Sequence, residues 1–293
     1  MSSILTNSSA LSALQALTQT QAALKTTENQ VSTGLAVSSA ADNASYWSIA
    51  TQLGADSGVV TAANSALSQS QSVLSTSSSA INSVITTIKA IEAALTQAAT
   101  PGASITDIQT TLTSLGSQLK DAVSGASFNG LNVLDGSTSS LDFVAGFNAS
   151  SAGGKLNTIS FTSNSLIDAT AGQGILEGGS GIATGAGTDL LTLGTTVSDA
   201  TSASTALTGV ATVLAKVTTY AATIGATQDR MTAASTFNTA LTANYANGDS
   251  ALVDADMNTA STRLQALQTQ EQLGIQSLSI ANQNAQLILK LFP

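Results

Sequence analysis

The sequence predicts a mainly α protein: a long antiparallel helical, coiled-coil hairpin formed by the N- and C-terminal segments, with a small β-hairpin region and a short variable middle. Three observations predict it. Val60, Leu67, Leu74, Ile81, Ile88 and Leu95 recur at an interval of seven, six times in succession. Met257, Leu264, Glu271, Leu278, Ala285 and Phe292 repeat that interval near the other end, with Leu267, Gly274, Ala281 and Ile288 three residues after members of the series. Between them the period changes at "SFNGLNVLDG", where Asn129-Gly130 and Asp135-Gly136 are turn formers. An apolar stripe on a helix has to meet a partner helix. The two ends of the chain are therefore expected to lie side by side, with the middle as the tip.

Each element follows from its spacing. The first 35 residues read as a helix, with Leu17, Leu24 and Val31 spaced by seven and Leu14 and Leu35 extending the same face. Residues 57–98 form a rod about 60 Å long at about 1.5 Å per residue. Its positions three further on are Ala63, Ser70, Ser77, Val84, Ile91 and Ala98, and the small ones let helices approach closely. Pro101 and Gly102 break the chain. Ser104 is expected to cap a third helix over about 104–124, with Asp107 completing a variant of the capping box. A β region runs from about 127 to 165, and loops from 166 to 196. Helical spacing resumes near 197: Leu207, Val210, Leu214, Val217, Ala221, Ile224, Gln228 and Met231 step by three and four. "YANGDSALVDADM" is expected to interrupt it, and a last helix starts near 254.

Composition excludes several kinds of chemistry. There is no Cys and no His, so thiolate and imidazole catalysis, disulfides and the usual zinc sites are out. Net charge is -9, and the eight basic residues are scattered singly, which argues against nucleic acid. Only 9% of residues are charged, against roughly a quarter in ordinary domains. No window of about 18 apolar residues exists, so no membrane span is expected. The N-terminus lacks a basic region and a long apolar run, so a cleavable signal peptide is not expected.

Three motifs invite a site and do not carry one. In "GQGILEGGSGIATGAG", Gly172 and Gly174 begin a GxG, but the third glycine is displaced and no GK[ST] follows. Asp254 with Asp256, and Asp42 with Asn43, fit no calcium loop, whereas carboxylates at helix starts are ordinary caps. Asn7, Asn43 and Asn148 each open an Asn-x-Ser triplet, which a Ser-rich chain produces by chance. No catalytic group, cofactor or metal is expected. By contrast, Leu273, Ile280 and Leu287 form a second series of seven beside the first in the last helix. A helix apolar on two sides needs two partners, which points to assembly with other copies of the chain.

Four stretches resemble bacterial flagellin, the filament subunit of the flagellum. "VSTGLAVSSAADNAS" is similar to that family's N-terminal signature, "SFNGLNVL" to its Phe-Asn-Gly hairpin, "IGATQDRM" to its C-terminal Gly, Gln and Arg motif, and "IANQNAQLILKLF" to its Leu-rich ending. The resemblance covers about 1–135 and 205–293. It implies an inner coiled-coil domain from 1–45 with 254–293, an outer helical domain with a β-hairpin from 46–140 with 197–253, and a short surface region at 141–196. It further implies an extracellular filament used for swimming, and export without a cleavable signal. The implied partners are the chain itself, related flagellins, an export chaperone and secretion apparatus, and junction and cap proteins. A hook-filament junction protein of the same axial family, or a secreted coiled-coil adhesin, are the alternatives. The chain departs from the family's signature where Arg is usual, at Gln30 and Ala36, and where a second Asp is usual, at Asn43. Residues expected in subunit or domain packing are Leu14, Leu17, Leu24, Val31, Leu35, Trp47, Val60, Leu67, Leu74, Ile81, Ile88, Leu95, Leu264, Leu267, Leu278, Ile288 and Phe292. Trp47, the single tryptophan, is expected against a neighbouring subunit or the returning chain near 245–255.

Overall fold

The computed structural model describes residues 7–149, 154–167, 174–177 and 189–291, and no side chains over 284–291. The Gly-rich run at 172–187 falls almost wholly outside the described residues, as does Phe292. The elements are α1 (Ser8–Thr33), α2 (Ala44–Ala98), α3 (Ile105–Ser124), β1 (Ser140–Asn148), β2 (Lys155–Thr162), α4 (Leu193–Thr196), α5 (Ala200–Val253) and α6 (Met257–Leu291). The fold is mainly α with one two-stranded antiparallel sheet. The chain forms two compact units: Met1–Ser57 with Ala243–Pro293, and Gly58–Thr242.

The core of the 58–242 unit is built on the stripe of α2. Val60, Leu67, Leu74, Ile81, Ile88 and Leu95 are all fully buried. Fully burying one such side chain contributes about 1.5–3 kcal/mol gross. Facing them are Leu112, Leu119 and Val123 of α3, and Val210, Val213, Val217, Tyr220, Ile224 and Met231 of α5. Leu207, Leu214, Ala221 and Gln228 lie half-buried at the edge of that α5 stripe. By length and composition α5 could cross a membrane, with a window of mean hydropathy 1.3. Its apolar side fills this core.

Ser and Thr are accommodated by bonding to their own helix. Buried Ser77 donates its Oγ–H to the Val73 carbonyl at 2.9 Å, and buried Thr27 donates to Ala23 at 2.9 Å. Such back-bonding satisfies a hydroxyl without a partner from another element.

The strands pair from Ser140↔Thr162 to Asn148↔Lys155, with a bulge between Val144 and Gly146 that leaves Ala145 unpaired. Buried Asn238 of α5 donates its Nδ2–H to the freed Ala145 carbonyl at 2.8 Å. Phe143, Phe161 and Tyr220 form a run of rings with centroids 6.2 Å apart at each step. Tyr220 donates its hydroxyl to the Val133 carbonyl at 2.8 Å, which pins the segment before the sheet to α5. The turn at Asn129-Gly130 is as the sequence predicts. Phe128 and Leu131 exchange bonds of 2.9 and 3.0 Å, and both turn residues have positive φ, 52° and 78°.

Several expectations are corrected. Ser104 stands at the start of α3, but its side chain makes no capping bond; Asp107 lies in the first turn. "YANGDSALV" does not interrupt α5, which continues to Val253. The Leu53 side chain lies 3.6 Å from where a Gly248 Cβ would stand, so packing holds the helix through the Asn-Gly pair. The stretch 166–196 is not all loop: it includes a 3₁₀ turn at Ile175–Glu177 and α4, and it buries Leu166, Ile175, Leu176, Leu190 and Leu193 in the core. Helix α1 stops at Thr33 because Gly34 takes a left-handed φ of 75° and closes it, so Leu35 lies beyond the helix.

Candidate assembly site

In the unit formed by the two ends of the chain, α1 and α6 pair along a seam. Leu17, Leu24 and Val31 are half-buried on α1. On α6, Leu264, Glu271, Gly274 and Leu278 are half-buried, and Ala260 and Leu267 are buried. The Leu17 side chain comes within 3.2 Å of where a Gly274 Cβ would stand, so the glycine sets how closely the helices approach. Among the described residues two polar bonds cross the seam: Asn7 Nδ2–H to the Ala281 carbonyl at 2.9 Å, and Gln21 Nε2–H to Glu271 Oε1 at 3.2 Å. Asn7 also caps α1, accepting from the Ala10 amide. Leu14 is not in the seam; it is 51% exposed. Ile288 is on α6, where side chains are not described.

The connectors at one end of this unit are tied by main-chain bonds. Leu35 bridges Asp254, the Ala36 and Val37 amides donate to the Val253 carbonyl at 2.7 and 3.2 Å, and the Ala255 amide donates to Gly34 at 2.8 Å. Val37, Ala50 and Val253 form a small cluster beneath them, with Leu35 against it. Asp42 then gathers the loop. Its Oδ2 accepts the amides and hydroxyls of Ser38 and Ser39, four bonds of 2.9–3.0 Å. Asn43 caps α2 by accepting from the Ser45 and Tyr46 amides. Asp256 caps α6 through the Asn258 and Thr259 amides and the Thr259 hydroxyl. Asp254 does not cap; it accepts from the Ser250 hydroxyl at the end of α5. The Gln30 carbonyl closes α1, the Ala36 amide bonds Val253, and Asn43 caps α2.

The hydroxyls of Ser39 and Ser38 hold the Asp42 carboxyl below its ordinary value of 3.8, and the Thr259 hydroxyl does the same for Asp256. A depressed carboxyl value stabilises the fold above the unfolded value, and that stabilisation is lost as pH falls through the folded one. The connector is therefore expected to hold above pH 3.8 and to loosen below it. Trp47, on the first turns of α2, reports this. Its emission should change as the solution is acidified past that point, and Asp42→Asn should remove most of the change. A fluorescence trace flat across that range would contradict the assignment.

The outward faces of this unit carry apolar side chains. Leu11 is 73% exposed, Leu273 56% and Ile280 59%, and Met257 and Ile275 are also exposed. The start of α2 exposes Tyr46, Ile49 and Trp47, the last by 41%. On α6, Leu264, Glu271 and Leu278 of the first series of seven lie in the seam while Met257 is exposed, and the described members of the second series, Leu273 and Ile280, face outward. Among the described residues no group of three acidic side chains could hold a metal ion.

Comparison with known proteins fits this arrangement. Residues 4–139 match the bacterial flagellin N-terminal helical region, and residues 207–292 match the bacterial flagellin C-terminal helical region. The chain is 40% identical over 299 residues to a flagellin of Brucella melitensis biotype 1, covering all of this chain and 99% of the relative. The chain belongs to the bacterial flagellin family. Flagellin C of Rhizobium meliloti is 38% identical over 325 residues, with 100% of this chain and 99% of the relative covered. Flagellin FljM of Caulobacter vibrioides is 32% identical over 303 residues, with the same coverage. As a flagellin, the chain is a structural subunit of the flagellar filament, and motility is the activity the family implies.

Neither Asn238 nor Tyr220 stood out in the sequence. Each is a polar residue inside an apolar stripe, and each bonds a carbonyl more than 80 residues away in the chain.

Proposed function

We propose that the α1–α6 hairpin is the polymerising element, and that its outward apolar stripe is covered by neighbouring copies in the filament. The observation that carries this is the exposure of Leu273 and Ile280 on a helix whose opposite face is already occupied by α1. Residues 1–45 with 254–293 would form the inner domain, 46–140 with 197–253 the outer helical domain, and 141–196 the surface region. Leu17, Leu24, Val31, Leu264, Leu267 and Leu278 hold the hairpin. Leu14 and Trp47, with Ile288 and Phe292, pack against other copies. The chain acts outside the cell as a structural protein and not as an enzyme. It is exported by a chaperone and the secretion apparatus, and meets junction and cap proteins and related flagellins in the filament.

Electron microscopy of the purified chain after salting out tests the polymer. Long filaments are expected; isolated rods would leave the adhesin reading standing. A junction protein would occur in few copies per filament, so subunit stoichiometry separates that alternative. Trp47 emission should shift between monomer and filament, and an unchanged spectrum would remove Trp47 from the contact.

A further inference from the structure

The chain contains the dipeptide Asn-Gly twice, at Asn129-Gly130 and at Asn247-Gly248. We propose that Asn129 is a site of spontaneous deamidation and that α5 protects the identical pair at Asn247. In this reaction the main-chain nitrogen of the following residue forms a bond to the asparagine Cγ. The Cγ–Nδ2 bond breaks, and the nitrogen's proton leaves with the amide as ammonia. Water then opens the five-membered imide at either carbonyl, leaving aspartate or its β-linked isomer. No oxidant, reductant or catalyst is needed. A glycine as the attacking residue removes the side chain that would crowd the ring.

The structure treats the two sites differently. Asn129 and Gly130 are both exposed in a two-residue turn, whose paired bonds use the amides of Phe128 and Leu131 and not that of Gly130. Nothing lies within 4 Å of where a Gly130 Cβ would stand, so no other part of the fold crowds the residue that attacks. Beside the turn is a recess of about 370 Å³ lined by Gln69, Ser70, Val73, Phe128, Asn129 and Leu131 among others, which gives the ring room to form. Gly248 is inside α5, where its amide belongs to the helix ladder, and the Leu53 side chain lies over it at 3.6 Å. Cyclisation there requires the helix to open first.

The product matters to the fold. The β-linked isomer adds a methylene to the main chain of a two-residue loop, and loop length fixes the pairing of its flanks. Phe128 and Leu131, packed against the core at that point, lose their register. Either product adds a negative charge to a chain of net charge -9.

The test is incubation of the folded full-length chain at mildly alkaline pH, followed by peptide mass spectrometry. The peptide that starts after Lys120 should gain about 1 Da at Asn129, with the release of ammonia. Conversion at Asn247 should be slower by about tenfold or more, because it waits on local opening. In denaturant the two sites should convert at similar rates, which shows that the fold sets the difference. Asn129 persisting in the folded chain as long as Asn247, or a difference that survives denaturation, overturns the proposal.

Discussion

Deleting residues 285–293 leaves a chain that folds over its 58–242 unit and forms no filament. The deleted segment contains Leu287, Ile288, Leu289, Leu291 and Phe292, and it lies outside the 58–242 unit. The seam loses only its last turns, since Asn7 meets α6 at Ala281. Each apolar side chain that a neighbour would bury contributes about 1.5–3 kcal/mol gross. Losing two of them, at about 3 kcal/mol, raises the critical concentration by roughly two orders of magnitude. Sedimentation and circular dichroism check both halves of the expectation: a soluble chain with its helical signal retained and no pelleted polymer. Filaments of normal length from the truncated chain would remove the C-terminal segment from the assembly contact.

Ile88→Ala is expected to act in the opposite place. Ile88 is fully buried in the middle of the α2 stripe, and truncating such a side chain costs about 2–5 kcal/mol through lost transfer energy and the cavity left behind. For a unit of this size that lowers the melting temperature of the monomer on the order of 10 °C. Leu273→Ala is the matched control. Leu273 is exposed, so its truncation should change monomer stability by no more than about 0.5 kcal/mol while weakening polymerisation. Thermal melts of the two variants, with sedimentation of each, separate core from contact surface. If Leu273→Ala lowered the melting temperature as far as Ile88→Ala, the outward stripe would belong to the monomer.

What could be read from the sequence depended on period. The α2 stripe was legible residue by residue, because six apolar positions at one interval with no proline between them permit one reading. The antiparallel ends were legible for the same reason. Helix α5 was legible through Leu241 to about Tyr245 and then obscured, because Asn247, Gly248 and Asp249 favour turns locally, whereas in the fold the Leu53 side chain packs over Gly248. The buried leucines between 166 and 193 carry no period, and the Gly, Ser and Thr around them read as loop. At the connector, Asp42 was legible as a turn residue, but the cap expected of it is made by Asn43. That one oxygen of Asp42 gathers four donors was not legible, because the bonds depend on the path of the loop.

The back-bonded hydroxyls also set the character of the exposed helix faces. On the exposed side of α2, Thr86 and Thr87 each donate to the carbonyl four residues earlier, at 2.9 and 3.0 Å. Thr218, Thr219 and Thr223 of α5 do the same. A threonine whose proton is committed to its own helix meets a neighbour mainly with its methyl group. Its donor side has no hydration to shed, since the hydroxyl keeps that bond when water leaves. Such a surface stays wettable on a single molecule and dries at little expense when copies close together. A face of this kind meets another surface through the shape of its methyl groups more than through matching charge.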